Sequence, residues 1–421
     1  MRYKIGFYRL VEKMSKSLGF FSFLKHSIPA SIWAIGLSSL LINLATSAIF
    51  SGSALYLKVV LGATVSAIGF IEAIVEAMSY GVRIFSGVVS DYFKKRKLFM
   101  VIGFVMLTIS KPMFAFSKSI AEIFVAKTID RIGNGLQATP RDALITDSSP
   151  KEIRGSCFGL RQSLAVIGST LGGLFGIAVM AVSNNDFKLL FILAAVPAAI
   201  ASIILCLFAK EKKSAEHANP QRRKIRMRDL KLLGKKFWVL TIVVVVFSLG
   251  RFSGIFITLH ACENFGLDLL YGTAITTTYN LFSTLVSYPI GKLSDRMDRV
   301  TLLLIGFGFL ILSHLSIGLA NGLFWVFFGT AFWGIQRGIT DGLLSTLVSD
   351  YVPKELRGTG FGIYYLVVSA STAVANAFAG IVSQQSGKGA EFIAGAIFCI
   401  FATFLLLIVK KNLSPKASVL K

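Results

Sequence analysis

Charged and amide side chains stand at isolated positions inside long apolar stretches of this 421-residue chain, and their types limit the chemistry open to them. Glu72 and Glu76 lie one helical turn apart in a stretch running from about 65 to 90, with Arg83 two turns further along the same face. Lys127, Asp130 and Arg131 fall in the stretch 119–146, Arg251 in 237–262, and Gln336, Arg337 and Asp341 in 322–349. Asn43, Asn280 and Asn376 occupy the middles of three more. An unpaired cation at such a depth costs about 2.5–3.5 kcal/mol on insertion scales. Arg131 therefore needs a carboxylate, a bound anion or water. A carboxylate moved out of water holds a proton more readily, so Glu72 and Glu76 are the expected proton carriers, with Asp341 as their rival. Arg83 makes Glu76 the weaker of that pair, and Arg337, one turn from Asp341, favours an ionised Asp341. Guanidinium groups can grip a carboxylate bidentately. The set offers ion pairing, proton exchange and solute binding. It does not offer covalent or ATP-driven chemistry: the sequence has no P-loop, no His–Glu zinc constellation and no Ser–Lys pair. Cys157, Cys206, Cys262 and Cys399 are isolated and lack metal-ligand spacing, so no metal and no cofactor is expected.

The elements that must position these residues are set by composition. The chain is 54% hydrophobic and 15% charged, with a mean hydropathy of +0.70. A soluble domain carries about 25% charged residues, which excludes a soluble enzyme, a disordered region and a nucleic-acid-binding domain. The net charge of +23 would suggest nucleic acid in a soluble protein. Here Lys and Arg form short runs between apolar segments, which is how a polytopic membrane protein is oriented. Apolar segments fall at about 28–57, 65–90, 98–117, 119–146, 156–182 and 187–209, and again at about 237–262, 270–291, 300–319, 322–349, 359–383 and 390–409. Each suits one membrane span. With the N-terminus inside, 32 Lys and Arg lie on the inner connections and 4 on the outer ones. The predicted fold is all-α: twelve transmembrane helices in two parallel six-helix bundles. The arm 1–27, a basic linker 210–236 and a tail 413–421 are placed in the cytoplasm, and the bundles at 28–209 and 237–412 in a bacterial inner membrane.

Two loops occur twice at nearly one offset. Gly87-Val-Val-Ser-Asp91 reappears as Gly291-Lys-Leu-Ser-Asp295, 204 residues on. Asp147-Ser-Ser-Pro-Lys-Glu-Ile-Arg154-Gly155 reappears as Asp350-Tyr-Val-Pro-Lys-Glu-Leu-Arg357-Gly358, 203 residues on. The halves are thus copies related by a pseudo-two-fold axis, a transporter design. Gly87 and Gly291 allow close helix approach. Asp91 and Asp295 sit at helix ends beside basic residues. They can pair across the halves with an arginine or a helix N-terminus when the inner side is closed, which is what a gate requires.

Over about 28–412 the chain resembles the major facilitator superfamily of secondary transporters. That family's pattern after the second helix is Gly, three residues, Asp, a basic residue, one more, Gly and two basic residues. The first copy keeps Gly87, Asp91, Lys95 and Arg96, with Tyr92 where a basic residue is usual and Lys94 where Gly is usual. The second keeps Gly291, Asp295, Arg296 and Arg299, with Asp298 in the Gly position and Val300 also departing. Arg131 and Gly135 are similar to the family's Arg, three residues, Gly pattern. Gly159, Gly168, Gly172, Gly173 and Gly176 are similar to its antiporter spacing, with Gly173 in place of Pro and Ile177 in place of Gly; this spacing leans towards export. The resemblance implies a monomeric secondary transporter in membrane lipid, moving a small molecule by alternating access with protons as coupling ion. It also implies that Arg131, Arg251 and Arg337 face one cavity, a setting for an anionic substrate, unless carboxylates neutralise them. Uptake of an organic anion such as a carboxylate siderophore or metabolite is the alternative to export. A receptor or lipid-handling relative that does not pump is the alternative of another class.

Overall fold

The computed structural model describes residues 28–63, 65–211, 232–266, 272–385 and 389–413. The basic arm, most of the linker and nearly all of the tail lie outside them. Among the described residues the chain is helical, and each helix starts and stops within a few residues of an apolar segment. The first six spans are α1 (Ala30–Leu55), α2 (Val65–Phe93), α3 (Arg96–Phe116), α4 (Ile120–Ser148), α5 (Arg154–Val182) and α6 (Phe187–Phe208). The seventh is split into α7 (Gly234–Leu249) and α8 (Ile255–Phe265). The rest are α9 (Gly272–Leu293), α10 (Arg299–Gly318), α11 (Leu323–Tyr351), α12 (Arg357–Gln385) and α13 (Ala390–Leu413).

Local chemistry explains the ends. Ser119, Asp186 and Asp298 cap α4, α6 and α10 by accepting the N–H of Glu122, Leu189 and Thr301. Pro150 and Pro353 precede matching short 3₁₀ turns that lead into α5 and α12. The split of the seventh span departs from the single segment expected over 237–262. Gly250 and Gly254 weaken the helix there, and the freed backbone groups find partners. The His314 ring donates from Nε2 to the Gly250 carbonyl at 2.7 Å, and the Ser253 N–H donates to Asn376 Oδ1 at 2.7 Å.

Packing repeats between the halves. In the first, α1 packs on α5 and α6, α3 on α4 and α6, and α2 on α4. In the second, α7 packs on α12 and α13, α10 on α11 and α13, and α9 on α11. Every pair has its counterpart. The halves meet mainly through α5 against α9 and α2 against α12, again a symmetric pair. Large apolar side chains such as Ile109, Leu207, Ile397 and Phe404 are more than half exposed, while lysine, aspartate and glutamine are buried. This reverses the distribution of a water-soluble protein and suits a lipid surround. Among the described residues, seven helices are long and apolar enough to cross a membrane by length and composition. The remaining spans are α2, α4, the split α7–α8, the hydroxyl-rich α9, and α11 with Arg337 and Asp341.

Candidate functional site

Two aspartates latch the halves together at the face formed by the basic connections. Asp91, at the end of α2, accepts the N–H groups of Gly358 (2.9 Å) and Thr359 (2.7 Å) and the Thr359 hydroxyl (3.0 Å). Those donors are the unpaired first turn of α12, so the carboxylate caps a helix of the opposite half. Asp295, just past α9, does the same to α5, accepting from Gly155 N–H (2.7 Å), Ser156 N–H (2.9 Å) and the Ser156 hydroxyl (2.6 Å). Burial pushes the Asp295 carboxyl above the usual range, opposed by the bonds from Ser156 and Gly155 and by Arg299. The glycines permit the contact. A Cβ on Gly87 would lie 2.3 Å from the Gly358 carbonyl oxygen, and one on Gly291 would lie 2.6 Å from that of Gly155. Around each latch runs a second ion-pair layer. Asp147 pairs with Arg96 and with Arg357 of the other half; Asp350 pairs with Arg299 and with Arg154, the latter at 2.7 Å. Between the latches Phe158 and Phe361, themselves 203 residues apart, are fully buried with ring centroids 6.2 Å apart. Arg296 is exposed and stands outside this arrangement.

Deeper in, charges form three groups. In the first, Asp341 lies between two guanidiniums, Arg251 at 2.8 Å and Arg337 at 3.1 Å, and accepts from Gln162 of the other half at 3.3 Å. The break after α7 carries Arg251 to it. Side-chain exposures of 21%, 32% and 21% for Arg251, Arg337 and Asp341 leave this group accessible. In the second, Asp142 is fully buried, binds Arg141 (2.9 Å) and accepts the hydroxyl of Tyr365 from the other half. Gln162 and Tyr365 are repeat-equivalent, so each half sends one donor to a carboxylate of the other. Arg161 is buried among these groups with its Nε unbonded. In the third, Lys111 is fully buried against Asp130 and lies 3.2 Å from the Thr46 hydroxyl, and Arg131 lies 3.6 Å from Glu76.

Several residues singled out in the sequence lie in these groups, and others do not. Asp91, Asp295, Arg96, Arg299, Gly87 and Gly291 come together at the latches, and a helix N-terminus is the partner anticipated for the two aspartates. Arg337 and Asp341 are paired, and Asp130 turns to Lys111 of α3 rather than to its neighbour Arg131, although the adjacent Arg141 and Asp142 do pair. Arg251 has no carboxylate within a turn on its own span, and Asp341 reaches it from α11. Arg83 stacks on Tyr80 and Tyr365 at 5.1 and 5.3 Å rather than answering Glu76. Asn43 and Gln336 are spent inside their own helices, on the Ser39 carbonyl (2.6 Å) and the Thr340 hydroxyl (2.7 Å). Asn280 is half-buried on α9. The Glu72 side chain lies outside what is described. Lys111, Arg141, Asp142, Arg161, Gln162 and Tyr365 went unrecognised. The signal for Lys111 and Asp142 was present, as charges inside apolar segments; that for Gln162 and Tyr365 was their 203-residue spacing.

The fold and these cross-half links define a membrane carrier of two repeated six-helix halves that closes at one face. The sequence profile of the Major Facilitator Superfamily matches residues 35–275 and 240–420, and the chain belongs to that family of transporters, which are not enzymes. An uncharacterized MFS-type transporter of Methanocaldococcus jannaschii is 28% identical over 390 residues, spanning 90% of this chain and 94% of its own. The fold is similar to that of the human organic anion transporter MFSD10, with a TM-score of 0.74 and 17% identity over 90% of this chain and all of that one. It is also similar to the E. coli fucose:proton symporter, with a TM-score of 0.72 and 12% identity over 90% and 99%.

Proposed function

We propose that this transporter moves a small organic anion together with a proton by alternating access, in the plasma membrane of a prokaryote, with the basic face cytoplasmic. The observation that carries this reading is the accessible Arg251–Asp341–Arg337 group. Behind it stands a broader imbalance. Among the described side chains in the depth of the spans, and leaving Lys127 aside, seven cations (Arg83, Lys111, Arg131, Arg141, Arg161, Arg251, Arg337) meet four carboxylates (Glu76, Asp130, Asp142, Asp341). Buried charge of one sign is costly, and an anionic solute relieves it.

The group also suggests how a proton enters. Empty, it holds two guanidiniums and one carboxylate, a net charge of one positive. A substrate carboxylate can replace that of Asp341 between the arginines. Asp341, left at low dielectric without its cations, then takes a proton. The loaded site again carries one positive charge, so empty and loaded carriers meet similar electrostatic barriers on reorienting. Anion and proton travel together, and an inward proton gradient drives uptake. The groups facing Asp341 are Arg337 on α11, Arg251 beside α7, Gln162 and Arg161 on α5, and Tyr364 on α12. Three α5 glycines are explained by contact, Gly168 and Gly172 against Leu40 and Leu44 of α1 and Gly159 against α9, while a Cβ on Gly173 would meet nothing within 4 Å. Helix packing accounts for those three, so they carry no information on the direction of transport.

Proteoliposomes imposed with an inward-acid gradient test the reading against a panel of labelled carboxylates, amines and sugars. A carboxylate should accumulate, and an uncoupler should abolish the accumulation. Arg251→Lys keeps the charge but loses the planar fork, so it should raise KM at least tenfold. Asp341→Asn should retain carboxylate exchange and lose proton-driven accumulation. Accumulation of an amine or a sugar alone would refute the proposal.

A further inference from the structure

The Asp142 group lies beside the Asp341 group, and two pairs of neighbours join them. Arg161 and Gln162 follow one another on α5, and Tyr364 and Tyr365 on α12. Gln162 donates to Asp341, whereas Tyr365 donates to Asp142. Arg161 and Tyr364 each lie within electrostatic range of both carboxylates. The depths agree as well: counted along the helices, Arg161 stands about 10 Å inward from Arg154, and Asp341 about 13 Å inward from Asp350 of the same ion-pair layer.

Two guanidiniums here are left over. Asp142 is taken by Arg141 and by the Tyr365 hydroxyl, and Asp341 by Arg251 and Arg337. Arg161 is only 7% exposed, yet its Nε has no partner and it forms no ion pair with a described carboxylate. Arg83 of α2 lies 5.3 Å from the centroid of the Tyr365 ring, and its Nε is likewise enclosed without a partner. Glu76, on the same helix, lies against Arg131 instead.

We propose that Arg161 and Arg83 form a second anion seat, and that the substrate is a dicarboxylate with one acid group between Arg251 and Arg337 and the other on this seat. The inference rests on the anion reading above and adds the second charge. Charge decides the number of acid groups. A monocarboxylate that enters with a proton returns the Asp341 group to its one positive charge. The pair of Arg141 and Asp142 is neutral, so Arg161 and Arg83 add two further positive charges that a monocarboxylate leaves unanswered, in a setting where unanswered charge is costly. The kind of group follows from the donors. The Tyr365 proton is already given to Asp142, which leaves planar guanidiniums, suited to a carboxylate. A single phosphate would put both negative charges on one seat and leave the other empty.

The test titrates the full chain in nanodiscs at neutral pH with malonate, succinate, glutarate and adipate, each against its monoamide, which keeps the shape and removes one charge. One of these dicarboxylates should bind at least tenfold more tightly than its monoamide. Arg161→Gln should cut that ratio at least fivefold, and Arg161→Lys, which keeps the charge, should restore most of it. Arg83→Gln should cut the ratio too, and because Arg83 is only half-buried it carries the test should Arg161→Gln fail to fold. A ratio near one at every chain length, or a ratio that ignores both Arg161 and Arg83, would overturn the second seat. Inorganic phosphate binding as tightly as the best dicarboxylate would overturn it as well. Monoamides that bind through Arg251 with no gain from a second acid group would leave the anion reading standing and remove only this inference. Absence of binding by acids and monoamides alike would remove both.

Discussion

Lys111 illustrates how costly one buried charge is and how completely a partner changes the account. Its side chain is fully buried, and Asp130 answers it with help from the Ser110 hydroxyl at 3.0 Å. Removing one member of such a pair strands the other, at about 3–5 kcal/mol, whereas removing both can be nearly neutral. Lys111→Met should therefore sharply lower the thermal midpoint of the detergent-solubilised protein. Lys111→Met combined with Asp130→Asn should recover most of the loss. An additive double variant would show that the pair is not coupled. The same reasoning applies to Asp142, which Arg141 and the Tyr365 hydroxyl hold between halves. Arg141 and Asp142 are neighbours, but the other two partnerships were not legible along the chain, because Lys111 and Asp130 lie on different spans and Asp142 and Tyr365 on different halves.

At the level of elements, two backbone features separate geometry from family pattern. Lys94 has a φ of +52°, in the left-handed region that favours glycine, and it occupies the place where the family pattern has Gly. A side chain there costs roughly 1–2 kcal/mol, of which glycine's extra unfolded-state freedom returns about half. Lys94→Gly should stabilise by about 0.5 kcal/mol, read as a small rise in thermal midpoint. The second copy has no such strain: Asp298 stands there at φ −62° because it caps α10. The α5 glycines give the other test. A Cβ on Gly168 would lie 2.1 Å from the Leu40 carbonyl oxygen, while nothing lies within 4 Å of one on Gly173. Gly168→Ala should destabilise by about 1–3 kcal/mol. Gly173→Ala should be neutral or gain up to about 1 kcal/mol of helix propensity. Equal effects at the two positions would contradict the packing account.

For the molecule as a whole, the latches fix which face is closed. Each aspartate accepts three bonds from the opposite half, and charge-assisted bonds contribute about 1.5–3 kcal/mol apiece. Losing even one bond's worth shifts the conformational equilibrium roughly 10- to 150-fold. Asp91→Asn should open the basic face and slow transport while leaving expression intact. A cysteine substituted for Phe361 in a background without other cysteines would report this as faster maleimide labelling. Asp295→Asn should act similarly, since its contacts are the repeat-equivalents of those of Asp91. Unchanged labelling and transport in both variants would remove the gating role from the latches.

Hydropathy and charge along the chain determined the number of spans, their limits to within a few residues and the two-fold repeat. These are local properties: an apolar run of about 20 residues and a helix-ending Asp or Pro act wherever they stand. The 203- and 204-residue offsets also brought the latch aspartates into view, because a repeat maps each residue onto its counterpart. Partnership was decided only by the tertiary structure. Arg251 meets Asp341 because α7 breaks at Gly250, and that break is held by His314 and Asn376 from α10 and α12. Gln336 turns away from the site although it adjoins Arg337, because the helix directs them to different faces. Ion pairing falls steeply with distance at low dielectric, so which charges cancel depends on how spans far apart in sequence pack together, and that is a property of the folded bundle.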